Sequence, residues 1–340
     1  MISVGVVGYG YWGPNLLRNF TSSRRFRVAA VSDQRAERRQ AALDAYPALR
    51  AYETAEELID DPSLQAVAIA SPVATHFPLA RRALERGKHV LVEKPLCTAI
   101  AEGEELVALA RRANRTLMVD HTFLFTGAVE SIKGICQRGE LGKITYYDSM
   151  RINLGLFQPD VNVLWDLAPH DLSVMDFILD EEPIHIDATG YSHVNAGLPD
   201  IAYITLHFAS DRVAHFNLSW MSPVKVRRTA IGGSRKMLIW DDLDREEKLK
   251  IYSSGIDFLP EEQRATIIPQ YRVGDIYSPR VSNKEALQSV VEHFARVIAG
   301  ETKPIADGER GLRVVRILER AQAALDRNLS EIAQLRRGGR

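Results

Sequence analysis

The chain opens on a short apolar run, Ile2 to Val7, which closes on the segment Gly8-Tyr9-Gly10-Tyr11-Trp12-Gly13. From Asn15 the apolar residues Leu16, Leu17 and Phe20 recur at helical spacing. A second β-rich run, Phe26 to Ser32, ends at Asp33, and the Arg/Glu/Ala-rich stretch 35–46 reads as helix. Residues 65–70 and 88–92 are further buried strands, with a helical stretch over 76–86 between them. A helix over 98–113 then leads to the strand 116–119. Short apolar runs that alternate with helical patterns predict a parallel sheet covered on both faces.

Around residue 123 the rhythm changes. A helix at 126–138, a strand-like run at 144–151 and a helix at 168–179 give way to long alternating runs. In 201–208, Ala202, Ile204, Leu206 and Phe208 share one face; in 213–220, Ala214, Phe216, Leu218 and Trp220 do the same. The turn between them falls at 209–212. The opposite face carries Tyr203, Thr205, His207, His215 and Asn217. Period-two alternation predicts a hairpin with an apolar face packed on helices and a mixed face that meets water or another subunit. Runs at 224–231 and 235–240 flank Gly232-Gly233, expected as a hairpin turn. Helices at 283–299 and 309–327 close the chain. The pattern divides it into a parallel α/β domain, 1–122, and a second domain, 123–340, whose closing helices are available to pack back on the first.

Composition agrees with that division. A chain of 340 residues exceeds one compact core and suits two domains. With 46% apolar and 26% charged residues it reads as an ordinary soluble protein. A formal net charge of -1 gives no reason to expect nucleic acid, and Arg336, Arg337 and Arg340 read as a solvated tail. Cys97 and Cys136 are too few and too far apart for a disulfide framework or a zinc site, and no metal is expected. The N-terminus shows no basic leader or cleavage site, and no apolar run reaches membrane-spanning length. The expected setting is a reducing cytoplasm.

The segment Gly8-x-Gly10-x-x-Gly13 has a mechanical reading. The first glycine permits a tight strand-to-helix turn, the second lets backbone approach a pyrophosphate, and the third lets the helix sit close to the strand. Free amides at the helix start then meet the negative charge. The pattern follows a strand and precedes a helix, and Asp33 ends the next strand 20 residues after Gly13. That context predicts dinucleotide binding in a Rossmann fold, with Tyr11 and Trp12 of the loop against the cofactor. Asp33 would accept the adenine ribose hydroxyls and repel a 2′-phosphate, favouring NAD; its competing role is a helix cap. Arg35 and Arg38 lie within reach of a 2′-phosphate, which keeps NADP open. Ser71 and Pro72 at the next strand end, with Thr75 and His76, should lie beside the cofactor; for His76 a plain helix-start role competes equally.

Glu93-Lys94-Pro95 ends the strand 88–92, at the carboxyl edge where open α/β sheets bind ligands. Glu93 and Lys94 are expected beside the cofactor, and a lysine there can polarise a reacting hydroxyl or carbonyl. The combination of GYGYWG, ASPVATH at 70–76 and EKP at 93–95 resembles the glucose–fructose oxidoreductase/inositol dehydrogenase (Gfo/Idh/MocA) family. The resemblance covers essentially the whole chain. It implies an open, mostly antiparallel second sheet with helices, and homodimers or homotetramers formed through that sheet. Members typically carry D-x-G-x-H after the first strand of the second domain. Here Trp165-Asp166-Leu167-Ala168-Pro169-His170 keeps Asp166 and His170, with Ala168 in the glycine's place.

Asp166 and His170 are four residues apart, so one helical face can present both. A nearby carboxylate favours protonated imidazole. Oxidation of a carbinol carbon also requires loss of the hydroxyl proton. His170 is the candidate base, Asp166 its orienting partner and Lys94 the group on the reacting oxygen, so the apparatus requires both domains. The competing reading has Asp166 capping the helix and His170 in packing. His121, Arg151 and Asn153 are weaker candidates for the substrate side, each equally readable as an ordinary polar residue. Cys97 lacks a partner base and reads as an inert thiol.

The stretch 151–158 and the run 161–166 resemble the sugar-nucleotide branch of the family, which oxidises or reduces a ring position, often C3, of a nucleoside-diphosphate N-acetylhexosamine or uronate. An NADP-dependent ketosugar reductase is the nearest rival. An NAD-dependent glycoside hydrolase of the same fold would instead release free monosaccharide without net NADH. A cofactor-binding protein without turnover would have lost Lys94 or His170, and both are present.

Overall fold

The computed structural model describes residues 1–155, 157, 161–257 and 270–338. Leu156 and Gln158 of the substrate-side stretch and Arg340 of the basic tail lie outside the described residues. In chain order the first strands are β1 (Ile2–Val7), β2 (Phe26–Ser32), β3 (Arg50–Tyr52), β4 (Ala66–Ile69), β5 (His89–Glu93) and β6 (Leu117–Asp120). Helices α1 (Gly13–Ser22), α2 (Ala36–Ala45), α3 (Ala55–Asp60), α4 (His76–Glu85) and α5 (Ile100–Ala113) alternate with them. All six strands are parallel, in the order β3-β2-β1-β4-β5-β6. The strand order reverses between β1 and β4, and such switch points form the ligand crevice of doubly wound sheets.

Strands buried on both faces need no alternation, which is why β1, β4 and β5 read as continuous apolar runs. Val67, Ile69, Val90 and Val92 are fully buried between the helices. The far edge of the sheet is closed by a later part of the chain. The Val119 amide donates to the Ala306 carbonyl at 2.9 Å, and Met118 bridges Asp307. An edge strand paired in this way offers no free backbone ladder.

The next elements are α6 (Gly127–Gln137), β7 (Ile144–Leu154), α7 (Val163–Leu179), β8 (His185–Tyr191), β9 (Ile201–His207), β10 (Val213–Ser219), β11 (Met221–Gly233), β12 (Met237–Asp241) and β13 (Leu249–Tyr252). They are followed by β14 (Gly255–Asp257), β15 (Gln270–Arg272), β16 (Ile276–Tyr277), α8 (Ala286–Ile298) and α9 (Gly308–Gly338). Eight strands form one sheet in the order β16-β13-β12-β11-β7-β10-β9-β8, and β14 and β15 form a separate pair. In the large sheet only the β7–β10 pairing is parallel.

By contacts the chain forms two compact units. One comprises Met1–Thr126 and Lys284–Glu319; the other comprises the described residues of Gly127–Asn283 and Arg320–Arg340. α8 and the first part of α9 thus belong with the parallel sheet.

The hairpin forms as its alternation predicts. Ala202, Ile204, Leu206, Ala214, Phe216 and Leu218 are fully buried, and α7 lies against β7, β9 and β10. Each such Leu, Ile or Phe contributes roughly 1.5–3 kcal/mol by leaving water. Tyr203 and His207 on the mixed face are exposed. The glycine pair differs from expectation. Gly232 and Gly233 end β11, and the turn follows them, closed by the Gly233 amide on the Lys236 carbonyl at 3.0 Å. A Cβ on Gly232 would lie 2.0 Å from the Tyr146 ring, so this glycine answers close packing rather than turn geometry.

Candidate active site

The glycine loop leaves β1 and enters α1. Gly8 sits at φ +88°, and a Cβ there would lie 2.7 Å from the Ala70 carbonyl oxygen. A Cβ on Gly13 would lie 2.1 Å from the Gly8 carbonyl oxygen, so helix and strand approach as only glycine allows. Around Gly10 the nearest atom to such a Cβ is 3.8 Å away, on Arg35, which leaves its backbone accessible. No side chain caps α1 and no acidic residue lies in its first turn. Its first amides are therefore not met by a side chain of that turn, an arrangement that suits a pyrophosphate. Tyr11 is 91% exposed, and its ring lies 6.1 Å from that of half-buried Trp12.

Asp33 closes the loop from β2. Its Oδ2 accepts the Tyr9 amide at 2.9 Å, and its Oδ1 accepts the Arg35 amide at 3.0 Å and guanidinium Nε at 3.1 Å. Burial would raise the carboxyl, but the Arg35 and Tyr9 donors outweigh it and hold the group below its ordinary value. Arg35 is paired with Asp33, whereas Arg38 lies exposed on α2.

At the end of β4 the Ser71 and Thr75 hydroxyls lie 2.6 Å apart, and Thr75 also donates to the Pro72 carbonyl. His76 is held by backbone carbonyls on both sides. It is 1% exposed, with Nδ1 2.8 Å from the Pro95 carbonyl oxygen and Nε2 2.9 Å from that of Ser71. Both nitrogens are thus turned to backbone, tying the turn after β4 to the segment after β5. Burial lowers its titration, and a neutral ring can donate to only one of the two carbonyls.

Lys94 follows β5, half-buried, and Glu93 precedes it with only 6% exposure. Glu93 pairs in register with Asp120 of β6, and their carboxyls are within hydrogen-bonding reach. The Trp12 indole also donates to Glu93, and the Thr122 hydroxyl donates to Asp120 Oδ1 at 2.8 Å. His121 is 1% exposed, and neither ring nitrogen has a partner. Burial first, then the charges of Lys94 and Arg310, push it down to about 3, so its imidazole is neutral at physiological pH. Asp120 escaped the sequence reading, although an acid directly after the apolar run 117–119 was its visible signal. Cys97 is buried and pushed up to about 12 by that burial, which makes the thiol inert.

In the second unit, α7 begins five residues earlier than its spacing suggested. Asn162 is the cap, its Oδ1 accepting the Leu164 amide at 3.1 Å and the Trp165 amide at 3.3 Å. Asp166 is therefore not the cap. It lies one turn inside the helix, and its Oδ2 accepts the indole N–H of buried Trp220 at 3.2 Å. Ala168 is fully buried within the continuous helix, so the departure from glycine leaves Asp166 and His170 one turn apart, both half-buried.

Arg151 is engaged by a carboxylate of α7. It is 4% exposed, and its Nε and Nη2 each lie 2.8 Å from the two carboxylate oxygens of Asp171. This fork fastens α7 to β7. Asn153, two residues on, is half-buried near the end of β7. Among the described residues no cluster of three metal-ligating side chains occurs, and no helix is long and apolar enough to cross a membrane.

The Arg151–Asp171 pair makes a direct prediction. Arg151→Met or Asp171→Leu alone unbalances a buried charge pair and should lower stability by about 3–5 kcal/mol. The double variant should recover much of that loss. Denaturant midpoints measure both; a double variant as unstable as the summed singles would reject this account.

Known proteins share this architecture over nearly its whole length. The profile described as "Oxidoreductase family, NAD-binding Rossmann fold" matches residues 2–121, and that of the GFO/IDH/MocA C-terminal domain matches 129–239. UDP-N-acetylglucosamine 3-dehydrogenase of Acidithiobacillus ferrooxidans is 27% identical over 325 residues, covering 95% of this chain and 96% of that protein. Myo-inositol 2-dehydrogenase of Thermotoga maritima is 23% identical, with 96% and 97% covered. The solved structure of the Acidithiobacillus ferrooxidans enzyme superposes with a TM-score of 0.81 at 24% identity, covering 96% of this chain and 99% of that one. Its likeness concerns the fold alone. The glycine loop, the open start of α1 and the two paired family domains suit a nicotinamide cofactor, and the chain belongs to the GFO/IDH/MocA family of oxidoreductases.

Proposed function

We propose that this oxidoreductase uses NAD to move a hydride to or from a ring carbon of a sugar, C3 of a nucleotide-linked N-acetylhexosamine or uronate. The observation that carries the reading is the carboxyl edge of the parallel sheet. There the glycine loop after β1, Lys94 after β5 and His121 after β6 end neighbouring parts of one sheet. The substrate class is taken from the resemblance and from the relative that acts on UDP-N-acetylglucosamine, which matches 95% of the chain.

Gly8, Gly10, Gly13 and the first amides of α1 hold the pyrophosphate, and Asp33 holds the adenine ribose. Arg35 lies over Asp33 but is 52% exposed, so water already competes for its guanidinium. Ribose hydroxyls can therefore replace the guanidinium at little cost. Bound nicotinamide supplies the hydride acceptor or donor. Lys94 polarises the oxygen on the reacting carbon, and His170 holds the proton which that oxygen loses or gains. Asp166, fixed by Trp220, keeps the imidazole oriented.

Thermal-shift titrations with NAD(H), NADP(H) and nucleotide sugars test the reading. NAD(H) should bind more tightly than NADP(H), and Asp33→Ala should narrow the difference; tighter NADP(H) binding by the unaltered protein would overturn the cofactor assignment. Lys94→Ala and His170→Ala should each lower turnover by about a hundred- to ten-thousand-fold, since acid–base groups contribute on that order. NAD affinity should change little, because neither side chain is assigned to the pyrophosphate. Full activity in His170→Ala would remove it from the chemistry. The mixed face of the large sheet, with exposed Tyr203 and His207 beside Met150, is assigned to a contact between copies of the chain. Light scattering at micromolar concentration should give a dimer or tetramer mass, and a monomer mass would refute that assignment.

A further inference from the structure

Glu93 and Asp120 end adjacent parallel strands in direct register, and their side chains are buried rather than solvated. Their carboxyls lie close enough to share a hydrogen bond. Two carboxylates cannot make one, because both are acceptors only. With both ionised, Glu93 Oε1 and Asp120 Oδ2 are left without any donor, fully removed from water. A proton between the groups removes both defects at once.

The surrounding donors indicate where the proton resides. Burial is the largest influence on Asp120 and raises it, while the Thr122 hydroxyl at 2.8 Å and a hydrogen bond from Glu93 act the other way and favour its ionised form. Glu93 receives the Trp12 indole, but burial and the neighbouring Asp120 charge dominate and push it well above the ordinary 4.5. Of the other ionisable groups, Lys94 acts on Glu93, and His121, which burial keeps neutral, feels Lys94 and Arg310. One cation does not offset two buried carboxylates that face one another without a donor, because adjacent like charges raise one of the pair strongly.

We infer that Glu93 and Asp120 form a one-proton carboxyl pair, with the proton on Glu93, and that this pair is a positioning group for the adjoining Lys94. The pair presents one negative charge to one ammonium. Two charges would draw the lysine more strongly toward the sheet, and none would remove that attraction. Through Trp12 the same carboxyl also couples the glycine loop to the segment bearing Lys94.

Infrared spectroscopy of the protein without ligands reads the proton directly. At pH 8 the unaltered chain should show the carbonyl stretch of a protonated carboxylic acid, absent from Glu93→Gln. No such band, or one that persists in Glu93→Gln, overturns the inference. A stability measurement gives the same answer independently. A carboxyl whose folded value is raised stabilises the fold most below 4.5, and that contribution is lost as pH rises through the raised value. Glu93→Gln should flatten this decline in melting temperature; an unchanged decline counts against the pair.

The kinetic arm rests on the dehydrogenase reading, whereas the infrared and stability arms do not, so the two failures are distinguishable. Glu93→Leu should lower kcat roughly tenfold to a hundredfold, as small misplacements of a reacting group do. Glu93→Gln, which keeps a donor facing Asp120, should recover most of that loss. Equal loss in both variants, with the infrared band present in the unaltered protein, would leave the proton in place and refute the positioning role.

Discussion

The first unit is organised by a single close approach between two backbones. Nothing larger than hydrogen fits at Gly13, because the Gly8 carbonyl already occupies the place of a side chain. That contact fixes where α1 begins, and with it the direction of its unbonded amides. Gly8 in turn is held against the Ala70 carbonyl, so the loop is referenced to β4 as well as β1. Ser71 follows immediately, His76 grips its carbonyl, and the other nitrogen of His76 reaches Pro95. A chain of short-range constraints thus runs from the glycine loop to the residue after Lys94 without using an exposed side chain.

Buried polarity is handled differently in the two units. At Arg151 and Asp171 a planar guanidinium meets a carboxylate on two parallel hydrogen bonds, so charge is matched where it is buried. Removing either member is costly because the other has no water to return to. At Glu93 and Asp120 the strand register sets two groups of the same kind side by side, and electrostatics alone cannot balance them. The first arrangement fastens a helix to a sheet. The second places ionisable groups at a strand end where ligand chemistry is expected.

Much of the first sheet was legible because doubly buried strands leave continuous apolar runs and the glycine spacing has a mechanical cause. β3 and α3 were missed for definable reasons. β3 has only three residues and two of them are exposed, so it leaves no apolar run. α3 is a short helix announced only by Thr54 and Glu57, which form a reciprocal cap. The hairpin residues were placed correctly by their period of two. Arg151 and His76 show the limit: the groups that hold them, Asp171 and the Pro95 carbonyl, lie 20 and 19 residues away in the sequence. Whether a polar side chain faces a ligand or a distant backbone group is settled by tertiary packing. Period and spacing do not contain that information. The glycine pair at 232–233 follows a related rule, since close packing against Tyr146 and Leu141 resembles turn chemistry when only the sequence is seen.

The strand that closes the parallel sheet, β6, is bonded to residues 306 and 307, far along the chain, and α9 then sets Leu312 and Val315 into the first core. This has a consequence for inheritance. An exchange of genetic material between relatives at a single point after residue 126 would carry the strands of the first unit without the residues that seal their edge and complete their core. Such a recombinant joins two halves that have not been selected together at Val119, Ala306 and Leu312. Successful shuffling of cofactor domains within this architecture requires two crossovers, or compensating changes along α9. Residues 284–319 should therefore diverge in step with residues 1–126, even though more than 150 residues separate them.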